Sequence, residues 1–106
     1  MNNYIKEYMD KYKKYVDIEQ IYISKYDEKS ILEIMARVLA FWYLQKIEYV
    51  SKFLFTNNLE LQERYFYLEK NYYDTLEDII IKFNNNKQKI IFDRCEILKK
   101  ERHEAI

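Results

Sequence analysis

The chain has 106 residues and contains neither glycine nor proline. Hairpin turns with positive φ rely on glycine or asparagine, so with asparagine alone and no alternating polar–apolar runs the composition argues against an all-β fold. Eighteen basic residues balance eighteen acidic ones, and no global field draws the chain to DNA, RNA or an acidic membrane.

A chain of this length makes one domain, spanning 1–106, with a modest core. Cys95 is the single cysteine, so an intrachain disulfide is excluded and a reducing, cytoplasmic setting is expected. The start, MNNYIKEYMDKYKK, lacks the pattern of a signal or transit peptide. Phe, Tyr, Met, Ile, Asn and Lys make up 57 of the 106 residues, whereas Gly, Ala, Arg and Pro together number 7. The first set is read from AT-rich codons, the second from GC-rich ones. The usage points to an AT-rich genome such as a low-GC bacterium, its phages and plasmids, or some viruses and parasites.

In chain order, residues 3–16 carry one stripe at Ile5, Met9, Tyr12 and Val16 and a second at Tyr4, Tyr8, Tyr12 and Tyr15. Steps of three and four place each set on one helix face. Asp17 and Gln20 form a capping-box pattern. One helix to about residue 26, or two with a kink at Asp17, both fit.

Asp27 to Ser30 is the first polar punctuation, and Ser30 with Glu33 reads as a capping box. The long apolar stretch follows, ILEIMARVLAFWYLQKIEYVSKFLF, from Ile31 to Phe55, with five charges. As a helix it runs roughly 37 Å. Its apolar sector is about 180° wide, which suits a helix touching two neighbours. Ile34, Phe41, Leu44 and Phe55 fall outside that sector, among the charges. Lys46 falls inside it and is expected to lay its stem along the core and keep its ammonium in water. The longest apolar run is Val38 to Leu44, far short of the roughly 20 residues a membrane span needs.

Thr56-Asn57-Asn58 closes this helix. Leu61, Tyr65, Leu68, Tyr72, Leu76, Ile79 and Phe83 then step by three and four, giving an amphipathic helix from about 59 to 83. Asn84 to Asn86 ends it. A last helix, about 87 to 103, is expected to turn Ile90, Ile91, Cys95, Ile97 and Leu98 inward with Phe92 off that face. The expected fold is all-α, a four- to five-helix antiparallel bundle around the long central helix at about 31–55.

Residues for chemistry are scarce. One histidine and one cysteine cannot supply a zinc tetrad. Cys95 and His103 lie two turns apart on one helix, too far for a thiolate–imidazole pair. Without glycine every glycine-dependent phosphate loop is excluded. The carboxylates Glu60/Glu63 and Asp74/Glu77/Asp78 read as a solvated face. No catalytic residue, metal ligand or cofactor is expected, and the chain is not expected to be an enzyme.

Aromatic surface is what remains. A bundle this small cannot bury twelve tyrosines with their hydroxyls satisfied, and exposed aromatics are enriched at interface hot spots. The interface candidates are Phe41, Leu44, Phe55, Phe66, Tyr67 and Tyr73. The favoured function is a small non-enzymatic protein-binding module. Its size and composition suit a phage or mobile-element product that binds and inhibits a host defence complex, with a homodimer through the off-face residues as a first step. The alternative is a helical nucleic-acid-binding regulator. It would stack bases on Tyr4, Tyr8 and Tyr15 and neutralise phosphates with Lys6, Lys11, Lys13 and Lys14.

Overall fold

The computed structural model describes Tyr12, residues 27–54 and residues 59–104. The described residues form helices and no strands: α1 (Glu28–Leu54), α2 (Leu59–Lys82) and α3 (Asn85–Glu104). The choice between one and two N-terminal helices around Asp17 lies outside the described residues, as does Phe55. No helix among the described residues is long and apolar enough to cross a membrane.

α1 begins three residues before the expected start, and Ser30 is not its cap. Asp27 Oδ1 accepts from the Ser30 amide at 2.8 Å and from the Ser30 hydroxyl at 2.9 Å. A carboxylate at this position meets both the orphan amides and the positive end of the helix dipole, and a hydroxyl meets them less well. Those two hydrogen bonds hold the Asp27 carboxyl below its usual range. Ser30 itself is buried inside the first turn. Glu33, expected to complete the capping box, turns elsewhere.

Nine residues of α1 between Ile31 and Trp42 are buried, namely Ile31, Leu32, Ile34, Met35, Ala36, Val38, Leu39, Ala40 and Trp42. At 100° per residue they cover about 240° of the circumference. The expected sector was therefore too narrow. Ile34, placed among the charges by its spacing, is fully buried, and Phe41 packs partly buried against the core. Past Trp42 the enclosure loosens, and Ile47, assigned to the apolar sector, is 40% exposed. α1 has 27 residues and α3 only 20, so α3 ends before it can wall the far end of α1.

α2 returns antiparallel to α1 and presents the predicted seam to the core from Leu68 to Phe83. Leu68, Ile79 and Phe83 are buried, and Tyr72 and Leu76 pack partly buried against the same core. Thr75 is also buried, and its hydroxyl donates to the Asn71 carbonyl at 2.8 Å, which removes the cost of an unpaired polar group. Tyr12 is buried beside this face and donates its hydroxyl to Asp78 Oδ2 at 3.3 Å. Burial and the facing Asp78 carboxylate push the phenol well above its ordinary value, so it stays neutral.

The corner between α2 and α3 is two residues long. Asn84 Oδ1 accepts from the Lys87 amide at 3.0 Å and caps α3. Gln88 Nε2 donates back to the Ile80 and Phe83 carbonyls at 3.1 and 2.7 Å, covering the open end of α2.

α3 packs on α1 with Ile91 and Cys95 buried and with Phe92 and Leu98 partly buried. Ile90 and Ile97, expected inward, are 53% and 49% exposed. Phe92 takes the place expected of them because α2 and α3 both lean on α1 and touch each other little. That leaves a cleft on the Phe92 side. On the other side Arg94 reaches Glu33 through Nε at 3.1 and 2.9 Å and through Nη2 at 3.0 Å, and Arg37 Nε joins the same carboxylate at 3.0 Å. Lys87 pairs with Glu28 at the start of both helices. Burial opposes the charge on Glu33, but its bonds to Arg94 and Arg37 outweigh burial and hold the carboxyl below its ordinary value of 4.5.

Asn84→Ala should lower the unfolding free energy in urea by about 1 kcal/mol, the usual cost of losing a side-chain cap. Glu33→Gln should cost about 1 kcal/mol near pH 7, a value that allows for the part-exposed Arg94. Because the folded carboxyl titrates below 4.5, its contribution is complete above that pH and is lost as pH falls through the depressed folded value. The gap between wild type and Glu33→Gln should therefore close on acidification, as measured by urea midpoints from pH 7 down to about pH 3.

Candidate functional site

The outward face of α2 carries the main surface feature. Leu59, Phe66, Tyr73 and Ile80 are 71%, 58%, 54% and 53% exposed and recur at seven-residue intervals. A seven-residue step turns a helix by nearly two full turns, so the four side chains form one column about 32 Å long. Tyr67 and Ile81 are exposed beside it. Isolated exposed apolar residues are ordinary on a small protein, but four of them aligned in one column are a more specific feature.

The aromatic members are held in place. Tyr67 meets the buried Trp42 edge-on at 6.2 Å, and the Arg64 guanidinium lies over the Tyr67 ring at 5.2 Å from its centroid and over Tyr49 at 5.8 Å. Tyr73 meets Tyr72 edge-on at 5.2 Å. Phe66 meets Tyr65 edge-on at 5.8 Å, and Tyr65 is fixed by donating its hydroxyl to Glu69 at 2.9 Å. That hydrogen bond also raises the Tyr65 pKa. Rings braced this way have little rotamer freedom left to lose on binding.

A second feature lies where the three helices meet. The Lys46 ammonium lies over tyrosine faces. It sits 4.7, 5.3 and 5.9 Å from the ring centroids of Tyr72, Tyr73 and Tyr43. Lys99 comes within 3.9 Å of the Tyr43 centroid and also pairs with Glu96. Tyrosine faces attract ammonium groups by their quadrupole, and the lysine stems cover apolar surface on the way. Burial opposes the Lys99 charge, yet the Glu96 hydrogen bond and the charge interactions with Cys95, Glu96 and Tyr43 together outweigh it and the pKa rises. The adjoining cleft, about 200 Å³ in volume, is lined by Leu39, Tyr72, Leu76, Phe92, Cys95, Glu96 and Lys99. It is smaller than the roughly 300–1,000 Å³ typical of small-molecule sites.

Nothing in this cleft activates Cys95. The side chain is buried, and desolvation pushes its thiol up to about 11 despite nearby Lys99. A nucleophilic cysteine needs the opposite shift. Among the described residues no three His, Cys, Asp or Glu side chains are gathered to hold a metal ion.

The interface candidates therefore divide. Phe66, Tyr67 and Tyr73 are exposed, together on α2. Phe41 faces the core and meets Trp42 edge-on at 5.0 Å, and Leu44 is half-buried. Tyr4, Lys6, Tyr8, Lys11, Lys13, Lys14 and Tyr15 lie outside the described residues. Leu59, Ile80 and Ile81 join the surface without having been singled out from sequence. The signal for Leu59 and Ile80 was the seven-residue interval through Phe66 and Tyr73, which the inward seam does not share.

At pH 8 the folded protein should react with a thiol-specific disulfide reagent about 100-fold more slowly than the urea-unfolded chain. That is the ratio of thiolate populations for a thiol at about 11 and one at its ordinary 9.0.

No protein-family model matches the chain, and neither a curated protein nor a solved structure matches it.

Proposed function

We propose that this protein is a small non-enzymatic protein-binding module whose docking surface is the outward face of α2. The observation that carries the reading is the column of Leu59, Phe66, Tyr73 and Ile80, with its rings braced by Tyr65 and Tyr72. Apolar residues at heptad intervals on an exposed helix suit a partner helix laid alongside. Pre-positioned aromatic rings are the usual source of hot-spot energy at such contacts. The half-burial of Phe41 and Leu44, beside the exposure of Phe66, Tyr67 and Tyr73, supports a surface centred on α2.

The same proposal includes the finer architecture, a single four- or five-helix domain. Two neighbours cannot cover about 240° of α1. The burial of Tyr12 and its bond to Asp78 support a further helix from the segment before Asp27. The AT-rich residue usage supports a phage or mobile-element origin, with a host defence protein as the partner. The buried thiol of Cys95 suits work in a reducing cytoplasm.

The test compares immobilised wild type with the double variant Phe66→Ser/Tyr73→Ser as bait in extracts of a low-GC bacterium. Both substitutions are on exposed side chains, so the variant should keep its helical circular dichroism and its unfolding midpoint. Loss of two hot-spot rings should weaken the captured partner's binding by at least about 100-fold. Equal capture by both baits would place docking elsewhere. Phe41→Asp should instead lower the unfolding midpoint, since its ring packs on the core.

A further inference from the structure

We infer that the occupant of the α2 face is a basic amphipathic helix, and not a second copy of this chain. The inference rests on the reading of that face as a docking surface and adds the chemistry of its partner.

The column of Leu59, Phe66, Tyr73 and Ile80 is bordered at positions three and four residues on from its members. These are the positions that meet a partner helix at the edge of an apolar seam. Glu63 follows Leu59 by four, Glu77 follows Tyr73 by four, and Glu69 follows Phe66 by three. Glu63 and Glu77 are exposed and pair with no cation among the described residues. Glu69 accepts only the neutral Tyr65 hydroxyl among the described residues. The one cation on the border, Lys70, is already held by Asp74 at 2.6 Å. Elsewhere on α2, Lys82 pairs with Asp78 and Arg64 lies over Tyr67. Among the described residues the rim carboxylates Glu63, Glu69 and Glu77 therefore have no ion-pair partner, and Lys46, the cation beside Tyr73, lies over the Tyr43, Tyr72 and Tyr73 rings.

A second copy fits this rim badly. Antiparallel pairing that sets Leu59 against Ile80 and Phe66 against Tyr73 brings Glu63 of one copy beside Glu77 of the other, and Lys70 beside Lys70. A parallel copy offers only one attractive edge, Lys70 to Glu69, and that lysine is committed to Asp74. α2 holds six carboxylates against three cations in 24 residues, so either arrangement adds like charge to like. A helix with apolar residues at heptad spacing and lysine or arginine at the flanks satisfies both the column and the rim.

The test uses the full-length chain and two labelled synthetic peptides of about three heptads. They share one leucine seam, and one carries lysine and the other glutamate at the flanking positions. Fluorescence anisotropy at about 50 mM salt should show the lysine peptide binding at least about tenfold tighter. The preference should shrink to about threefold or less in Glu63→Gln/Glu77→Gln, and should collapse near 500 mM salt. Light scattering should find the chain monomeric. Equal binding of the two peptides, or a dimer that Phe66→Ser/Tyr73→Ser dissolves, overturns the basic-helix inference and leaves the docking surface standing. Absence of binding by either peptide, or lysine-peptide binding that survives Phe66→Ser/Tyr73→Ser, removes the docking surface itself.

Discussion

α1 cannot stand in water alone. Its first half carries large apolar side chains round most of the circumference, and Leu32 and Ile34 are both buried although they point about 160° apart. Each such burial contributes about 1.5–3 kcal/mol. The ion pairs that surround the helix contribute less individually, because they are partly exposed. Walling in α1 is thus the condition that the other elements meet, and their lengths and turns follow from it.

Specific polar contacts then decide how the walls are set. Two residues join α2 to α3, and Asn84 and Gln88 tie the corner so that α3 starts without a gap. Glu33 is the pivot on α1. By engaging Arg94 it fixes how far α3 rolls around the central helix, and that roll brings Phe92 towards the cleft and leaves Ile90 and Ile97 outside. The nearly empty contact between α2 and α3 is the counterpart of their shared dependence on α1.

Because the inner face of α2 is spent on α1, what remains on its outer face is not needed for stability. Leu59, Phe66, Tyr73 and Ile80 stand there exposed, two of them braced by neighbouring rings. The lysines follow a different logic. Lys46 and Lys99 settle over tyrosine rings because helix packing offers π faces close by, and tyrosine abundance in this chain makes such faces common.

Sequence alone determined the helical class, the seam of α2 from Leu68 to Phe83, and the limits of the three described helices to within a few residues. These depend on local spacing and on turn residues, which the chain states directly. It also separated Phe66, Tyr67 and Tyr73 from that seam. Only tertiary structure decided that Asp27 caps α1 while Glu33 bridges to Arg94, since the competing acceptor and the distant arginine are not visible in a local pattern. It likewise decided which flank of α3 is inward, because Ile90 and Phe92 lie on either side of Ile91 and periodicity weights them alike. The burial of Ile34 and the exposure of Ile47 on one helix have the same cause: a side chain's environment is set by where the neighbouring helices begin and end, and that is a property of the packed assembly.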